Sequence, residues 1–253
     1  MSSDPVNPAV EAVSVFFPCY NDEATIAQMV RVAIATLARV GACNAEVIVV
    51  NDGSTDGSAA LLDELATREP RLRIVTHERN RGYGGALLSG FAAANKQWVF
   101  YTDGDGQFDP AELELLVMRA SPDVDVVQGY KLRRADGFLR TVIGRAYHRF
   151  VKLFFGLKIR DTDCDFRLIR RATLDQVTLV HTTGVICVEL VRKLQDVDAR
   201  FTEVGVHHYR RIHGKSEFFR AGTILRTLWG LGGLWVQLVV LRRGRSRGRV
   251  SVG

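Results

Sequence analysis

The chain has 253 residues, of which 47% are hydrophobic and 25% charged, which excludes a disordered chain and fits one globular domain with appendages. No uninterrupted apolar run reaches the roughly 18 residues of a membrane-spanning helix, so a polytopic membrane protein is excluded. The four cysteines form no CxxC pair, which argues against zinc-ribbon and thioredoxin-like sites and is typical of a reducing cytosol. The opening MSSDPVNPAV has no basic or apolar region, so we expect no signal peptide.

The net charge of +6 is distributed unevenly along the chain. Residues 1–130 hold 9 Lys and Arg against 18 Asp and Glu, whereas residues 131–253 hold 25 against 10. The cations concentrate in residues 131–160, with nine cations and one anion, and in residues 242–249, with five arginines. This pattern predicts an anionic partner for the second half: nucleic acid, phospholipid or a phosphorylated substrate. A solvated basic face with a basic tail is the alternative.

In the first half, β-rich segments alternate with helical ones. The predicted strands are 13–17, 46–50, 72–75, 97–102 and 124–128, and the predicted helices are 24–40, 57–67, 84–95 and 110–120. This alternation predicts an α/β fold with a doubly wound, mostly parallel sheet. Ligands bind such sheets beyond the carboxyl ends of the strands, so the segments after each strand are the candidate sites.

The second half is predicted to hold one more strand, at 203–209, and two amphipathic helices. Residues 141–156 place an apolar and a basic face on one helix, which fits a membrane surface and docking on the sheet equally well. Residues 223–241 are mostly apolar and include Trp229 and Trp235, but their uncharged core is only fifteen residues long. A spanning helix needs about 20 residues, so this segment is predicted to lie in the lipid interface.

The strongest chemical signal is DGDGQ at 103–107, directly after a predicted strand. Two carboxylates at a strand end, Asp103 and Asp105, form a site for a hard cation, and oxygen ligands suit Mg²⁺ or Mn²⁺. Gly104 between them lets a ligand approach the backbone. An ordinary acidic turn is the alternative, because Asp and Gly are turn residues.

Two further signals follow earlier strands. VVNDGSTDG at 49–57 places Asp52 at a strand end, where a carboxylate can accept hydrogen bonds from a nucleobase or a ribose; a capped helix start is the alternative. PCYNDE at 18–23 offers aromatic and acidic groups to the same nucleotide pocket, or forms a purely structural loop.

Three more segments complete the pattern: NRGYGGAL (80–87), DTDCDFRLIRR (161–171) and HHYRRIHGKSEFFR (207–220). Taken in this order, the motifs resemble the family 2 glycosyltransferases of GT-A fold, in particular the polyprenyl-phosphate sugar transferases of the dolichyl-phosphate mannose synthase group. The resemblance implies an N-terminal extension at 1–12 and a GT-A glycosyltransferase domain at 13–220. An apolar helix and basic tail at 221–253 would then associate with the membrane.

The resemblance also implies a function and the roles of particular residues. It implies metal-dependent, inverting transfer of a sugar from a nucleoside diphosphate sugar, GDP- or UDP-linked, to a polyprenyl phosphate. The implied ligands of Mg²⁺ or Mn²⁺ are Asp103, Asp105 and Gln107, and the implied catalytic residues are Asp103, Asp105 and Arg211. The implied nucleotide-binding residues are Pro18, Tyr20, Asp22, Asp52, Gly82, Asp103 and Gly104. The residues implied to bind acceptor or donor phosphate are Lys131, Arg140, Arg211, Lys215 and Ser216.

Three positions depart from the family pattern. Asn51 stands where the family often has aspartate, so the base preference stays open, and Lys131 replaces a common arginine with a point charge. Asp165 stands where many relatives have glycine. We expect the protein to act peripherally at the cytoplasmic face of a membrane, where it binds the anionic surface and no nucleic acid.

Two alternatives stay open. The same donor chemistry with a soluble or glycan hydroxyl acceptor would need a general base, for which Asp163, Asp165 and Glu189 are candidates; a lipid phosphate is already ionised near pH 7 and needs none. The second alternative is an inactive basic scaffold that binds membrane or nucleic acid. Such a scaffold would not need the predicted metal-binding residues, and all three are present.

Overall fold

A computed structural model describes residues 7, 9–132, 149–211 and 229–241. Within these residues the strands are β1 (Ala12–Cys19), β2 (Asn44–Asn51), β3 (Leu72–Thr76), β4 (Trp98–Thr102), β5 (Val126–Lys131), β6 (Phe166–Arg170) and β7 (Phe201–Val206). They form one sheet in the spatial order β3-β2-β1-β4-β6-β5-β7. Three residues implied to bind phosphate, Arg140, Lys215 and Ser216, lie outside the described residues, as do the segment 141–148 and the tail 242–253.

Helices connect most of these strands. They are α1 (Ile26–Arg39), α2 (Ser58–Arg68), α3 (Tyr83–Ala93), α4 (Leu113–Val117), α5 (149–155), α6 (Arg171–Leu174), α7 (Val185–Asp196) and α8 (229–235). A 3₁₀ turn at Pro110–Glu112 leads into α4, where the Asp109 carboxylate accepts a hydrogen bond from the Ala111 N–H at 2.9 Å. A π-helical turn at Val236–Val240 follows α8.

The mostly parallel α/β sheet predicted from the sequence is confirmed. β3, β2, β1 and β4 run parallel, and β5 pairs parallel with β7, whereas β6 is antiparallel to both β4 and β5. β6 and α7 are absent from the predicted elements. In β6 the fully buried Arg167 interrupts the apolar run by which a strand is recognised, so the segment does not look like a central strand.

The sheet is covered on both faces. Alternate residues of β1 lie on opposite faces of the sheet. Val15 and Phe17 lie in the core on the side of α1, whereas Phe16 lies in the core on the side of α3. On the α3 side, Phe16 stacks on Tyr101, and a Cβ on Gly90 would lie 2.3 Å from the Phe16 ring. Helix and strand therefore approach closely at this point, next to the carboxyl ends of β1 and β4.

A third apolar cluster joins α5, α7 and α8. Its buried members are Val151, Phe155, Leu157, Ile159, Val185, Val188, Val191, Leu231, Leu234 and Leu238. The described part of the predicted helix 141–156 therefore docks one face on α7, while Leu153 is 80% exposed. None of the helices in the described ranges has both the length and the apolar character needed to cross a membrane.

Candidate active site

The loops after β1, β2 and β4 meet at one edge of the sheet. The Thr25 hydroxyl donates to the Gly104 carbonyl at 2.8 Å, and a Cβ on Gly104 would lie 2.7 Å from the Pro18 carbonyl. Asn21 links the first loop to the second, because its side-chain carbonyl accepts from the Thr55 N–H at 2.7 Å. The predicted convergence of these three loops is therefore present in the structure.

The first loop holds a carboxyl group with an altered pKa. Tyr20 is 39% exposed, and its N–H donates to Asp22 at 3.2 Å. Burial raises the pKa of Asp22 to about 6, against the hydrogen bond from Tyr20, and the negative charge of Asp105 adds to the rise. Asp22 and Asp105 are therefore close enough to interact electrostatically.

Asp52 directly follows β2 and is buried, and both of its carboxylate oxygens have protein donors. Its carboxylate accepts from the backbone N–H groups of Arg81 and Gly82, each at 2.9 Å, and lies 2.5 Å from His77 Nδ1. His77 Nε2 is 2.8 Å from the Ser89 hydroxyl. Through these hydrogen bonds Asp52, which is only 2% exposed, holds the segment before α3 in place. The nucleotide contacts implied for Asp52 and Gly82 stay predictions.

The loop after β4 presents the two predicted metal-binding carboxylates. Asp103 Oδ1 accepts from the Tyr83 hydroxyl at 2.6 Å. Asp105 accepts from the Gln107 N–H at 3.0 Å and from Arg211 Nε at 3.1 Å. Arg211 thus lies beside the acidic loop, and the phosphate-binding role implied for it stays a prediction.

The chemistry of this loop fits a divalent cation. Burial raises the pKa of Asp103 well above its usual range, and the negative charges of Asp165 and Asp105 raise it further. A bound cation would relieve this repulsion, and carboxylate and amide oxygens are the ligands that Mg²⁺ and Mn²⁺ take. Among the described residues, no three His, Cys, Asp or Glu side chains form a ready-made metal cluster. Gln107 donates to the Tyr209 carbonyl at 3.2 Å.

Lys131 is the second predicted cation that the structure describes. It ends β5, and its ammonium group donates to the Asp163 carbonyl at 2.8 Å and lies 5.8 Å from the centre of the Phe108 ring. Its positive charge lowers the pKa of Asp103 against the larger effect of burial. Lys131 and Arg211 therefore place positive charge on the β5–β7 side of the acidic loop.

The part of the site behind the metal loop was not predicted from the sequence. Tyr83, the first residue of α3, contacts Asp103, and its hydroxyl also lies 2.9 Å from Asp165. Asp165 in turn pairs with the buried Arg167. In the sequence Asp165 stood out as a departure from the family pattern and as a candidate general base, and not as a partner of the metal loop. Tyr83 carried no signal of its own.

Solved structures with a similar fold include glucosyl-3-phosphoglycerate synthase from Mycobacterium tuberculosis. The complex with Mn²⁺ and UDP-glucose superposes with a TM-score of 0.66 at 20% identity, and covers 90% of this chain and 82% of that one. The complex with phosphoglyceric acid gives a TM-score of 0.64 at 20% identity, over 90% and 83% of the two chains. These likenesses show the fold, and the expected GT-A fold is confirmed.

Related sequences agree with the resemblance. An undecaprenyl-phosphate 4-deoxy-4-formamido-L-arabinose transferase from Enterobacter sp. (strain 638) is 30% identical over 83% of this chain and 63% of the relative. A protein of the same name from Pseudomonas aeruginosa is 31% identical over 83% and 61%. The chain thus spans about three fifths of the length of these relatives. The model of the family described as glycosyl transferase family 2 matches residues 14–178. The chain therefore belongs to glycosyl transferase family 2.

Proposed function

We propose that this protein transfers a sugar from a nucleoside diphosphate sugar to a polyprenyl phosphate, with Mg²⁺ or Mn²⁺ and with inversion at the anomeric carbon. The observation that carries the proposal is the placement of Arg211 against Asp105 where the three loops meet. An arginine beside two acidic side chains would suit a phosphate and a divalent cation bound next to each other. The names of the related transferases supply the class of acceptor.

The donor is proposed to occupy the edge formed by the loops after β1, β2 and β4. Asp103, Asp105 and Gln107 would hold the metal ion, which when bound neutralises the charge that develops on the leaving diphosphate. Tyr20 offers an exposed ring for the nucleotide. Gly104 lets the metal loop pass close to the first loop, because a Cβ there would lie 2.7 Å from the Pro18 carbonyl.

The acceptor phosphate is proposed to approach from the side of Lys131 and Arg211. Its oxygen attacks the anomeric carbon, and the diphosphate leaves with the bonding electron pair. A phosphate acceptor is already ionised, so this step needs no general base. A hydroxyl acceptor would need one, but two of the three candidate carboxylates are already paired: Asp165 with Arg167, and Glu189 with Lys193.

The acceptor lipid is proposed to reach the site from a membrane on which the protein lies peripherally, at the cytoplasmic face. α5 and α8 expose large apolar side chains on their outer faces: Phe150 at 46%, Leu153 at 80% and Trp229 at 88%. The Trp235 indole N–H donates to the Phe154 carbonyl at 3.0 Å, so the two helices form one surface. Such a surface with tryptophan fits insertion at the headgroup level.

A panel of UDP- and GDP-linked sugars tests this function. Each is incubated with the full chain, undecaprenyl phosphate in detergent and Mg²⁺ or Mn²⁺, and the lipid-linked product is measured. We expect lipid-linked product from one nucleotide class, and its loss in EDTA. Transfer to a soluble glycan or a phosphorylated small acid, with none to the lipid, would contradict the proposed acceptor. No turnover of any donor would support the inactive scaffold instead.

A further inference from the structure

A fully buried arginine lies behind the acidic loop. The Arg167 guanidinium, on β6, donates to Gln128 Oε1 at 2.5 Å and to the Thr162 carbonyl at 2.8 Å, and it contacts Asp165 and Tyr101. A buried cation that lacks a carboxylate partner is strongly destabilising. Asp165 is therefore held in a fixed position by a group that cannot relocate to solvent.

The second oxygen of Asp165 reaches the metal loop through one side chain. Asp165 Oδ2 lies 2.9 Å from the Tyr83 hydroxyl and 3.3 Å from Cys187 Sγ. The same Tyr83 hydroxyl lies 2.6 Å from Asp103 Oδ1. The Tyr83 hydroxyl lies between the two carboxyl groups, but a phenol carries one proton and donates it to only one of them at a time. Of the two, Asp165 has the buried Arg167 behind it.

The backbone of Tyr83 is itself tightly placed. The Gly82 N–H before it is held by Asp52, and Gly82 has a φ of 82°, which favours glycine. One residue later, a Cβ on Gly84 would lie 2.5 Å from the His181 carbonyl oxygen. The start of α3 therefore packs directly on the loop before α7, and the Tyr83 hydroxyl has little freedom to move away from the two carboxylates.

We propose that Tyr83 and Asp165 are positioning residues that orient Asp103 for the divalent cation, with Arg167 as the anchor of the chain Arg167–Asp165–Tyr83–Asp103. The inference rests on the proposed function, because it assumes that Asp103 binds the metal. Neither Tyr83 nor Asp165 needs to touch the ion. Groups that orient a metal ligand in this way tune the affinity of the site for the metal, and their loss typically weakens metal binding about 10–100-fold.

The test measures Mn²⁺ binding to the full chain without donor, by electron paramagnetic resonance titration. Tyr83→Phe keeps the ring and removes only the bridging hydroxyl, Asp165→Asn removes the charge, and Tyr130→Phe is the matched control. We expect the first two variants to bind Mn²⁺ about 10–100-fold more weakly than the wild type and the control to be unchanged. Tyr83 and Asp165 act through the same series of hydrogen bonds. The double variant should therefore lose little more Mn²⁺ affinity than the weaker-binding single variant.

The outcomes separate this inference from the proposed function. Wild-type Mn²⁺ affinity in a folded Tyr83→Phe variant, while Asp105→Ala abolishes binding, would overturn the positioning role and leave the metal site standing. Equal Mn²⁺ affinity in the wild type and in Asp105→Ala would overturn both. Asp165→Asn leaves Arg167 without its carboxylate and can unfold the chain; if its thermal transition is lost, Tyr83→Phe alone decides.

Discussion

The two sides of the sheet hold their polar side chains by different means. In the loops after β1 and β2, the side chains are held mainly by backbone N–H groups: Asn21 by Thr55, and Asp52 by Arg81 and Gly82, with His77 beside it. On the side of β5–β7, ion pairs hold the carboxylates: Asp165 pairs with Arg167, and Glu189 pairs with Lys193 in addition to accepting from the Val180 and His181 N–H groups.

This difference predicts different responses to substitution. A side chain that binds main-chain groups shapes the loop, so changing it alters where a ligand lies. A member of an ion pair holds a charge in place, so changing it alters the electrostatics and leaves a partner uncompensated. The metal loop after β4 lies between the two sides and is bonded to both, through Thr25 and through Arg211.

The largest effect is expected at this meeting point. Asp105→Ala should lower transfer by on the order of 10²–10³-fold or more, because it removes a predicted metal ligand and the partner of Arg211. Transfer is measured with saturating metal, and thermal melting should show that the variant is folded. Asp63→Ala, an exposed aspartate on α2, is the control. EDTA should abolish wild-type transfer reversibly, and full activity in EDTA would disprove metal dependence.

The second effect concerns the ion pairs of the β5–β7 side. Burial acts to raise the pKa of Glu189, but hydrogen bonds from His181 and Lys193 outweigh it and lower the pKa to about 2 from 4.5. Because the folded-state pKa is the lower one, the stabilisation is present above pH 4.5 and is lost as the pH falls towards 2. The difference corresponds to about 3 kcal/mol of unfolding free energy.

Glu189→Gln tests this linkage by urea unfolding between pH 7 and pH 2.5. The variant should be less stable than the wild type at pH 7, and the gap should close as the pH falls below 4.5. Glu64→Gln, whose carboxylate pairs with Arg68 at the surface, should show no such gap. A gap that stays constant with pH would mean that the Glu189 charge does not stabilise the fold. Glu189 also accepts from the Val180 and His181 N–H groups, so it holds the loop on which α3 packs.

The side of the sheet formed by β1–β4 was predicted well from the sequence, because the signals of these strands and loops are local. β1, β2 and β4 contain apolar runs, the edge strand β3 is apolar but for Arg73 and Thr76, and each functional loop follows its strand directly in the chain. The other side depends on contacts between distant segments. β6 enters antiparallel between β4 and β5 with Arg167 buried in it, and only that pairing brings Asp165 to Tyr83. Neither residue type nor spacing reveals a contact between positions 82 residues apart.

The third effect tests whether Asp52 acts through the backbone. Asp52→Ala should weaken donor binding, measured by calorimetry with UDP- and GDP-sugars, by about 1.5–3 kcal/mol. If its role is to hold the segment of Arg81 and Gly82, His77→Leu should weaken binding in the same direction but less. Ser89→Ala, which removes only the outer partner of His77, is the matched control. Unchanged donor affinity in Asp52→Ala would reduce Asp52 to a structural residue at the start of α3.

The smallest effect for each substitution is expected at the membrane surface. Deleting residues 221–253 should release the protein from anionic liposomes and raise the apparent KM for a long-chain polyprenyl phosphate, while donor binding stays nearly intact. The structure shows that this deletion also removes Leu231, Leu234 and Leu238, which are buried in the cluster with α7. Loss of binding by the truncated protein would therefore mix membrane contact with destabilisation.

Point substitutions on the outer face avoid this ambiguity. Leu153→Ser and Trp229→Ser change side chains that are 80% and 88% exposed, so they should leave the melting temperature unchanged. Full burial of such a side chain contributes about 1.5–3 kcal/mol, and partial insertion should contribute about 1.4 kcal/mol, or tenfold in partitioning. Met118→Ser is the control, because it changes a 56% exposed apolar side chain at the end of α4, outside the cluster of α5, α7 and α8.

Liposome flotation at low and high salt decides between the modes of attachment. Each cation near an anionic surface contributes about 1 kcal/mol, and salt weakens that contribution. The five arginines of 242–249 should therefore make wild-type binding salt-sensitive, whereas the loss caused by Trp229→Ser should persist at every salt concentration, because apolar insertion is not screened. Wild-type flotation of both point variants would refute the apolar contact. Retention of the full chain on the liposomes after a carbonate wash would instead show that residues 223–241 are embedded in the bilayer, and would contradict peripheral attachment.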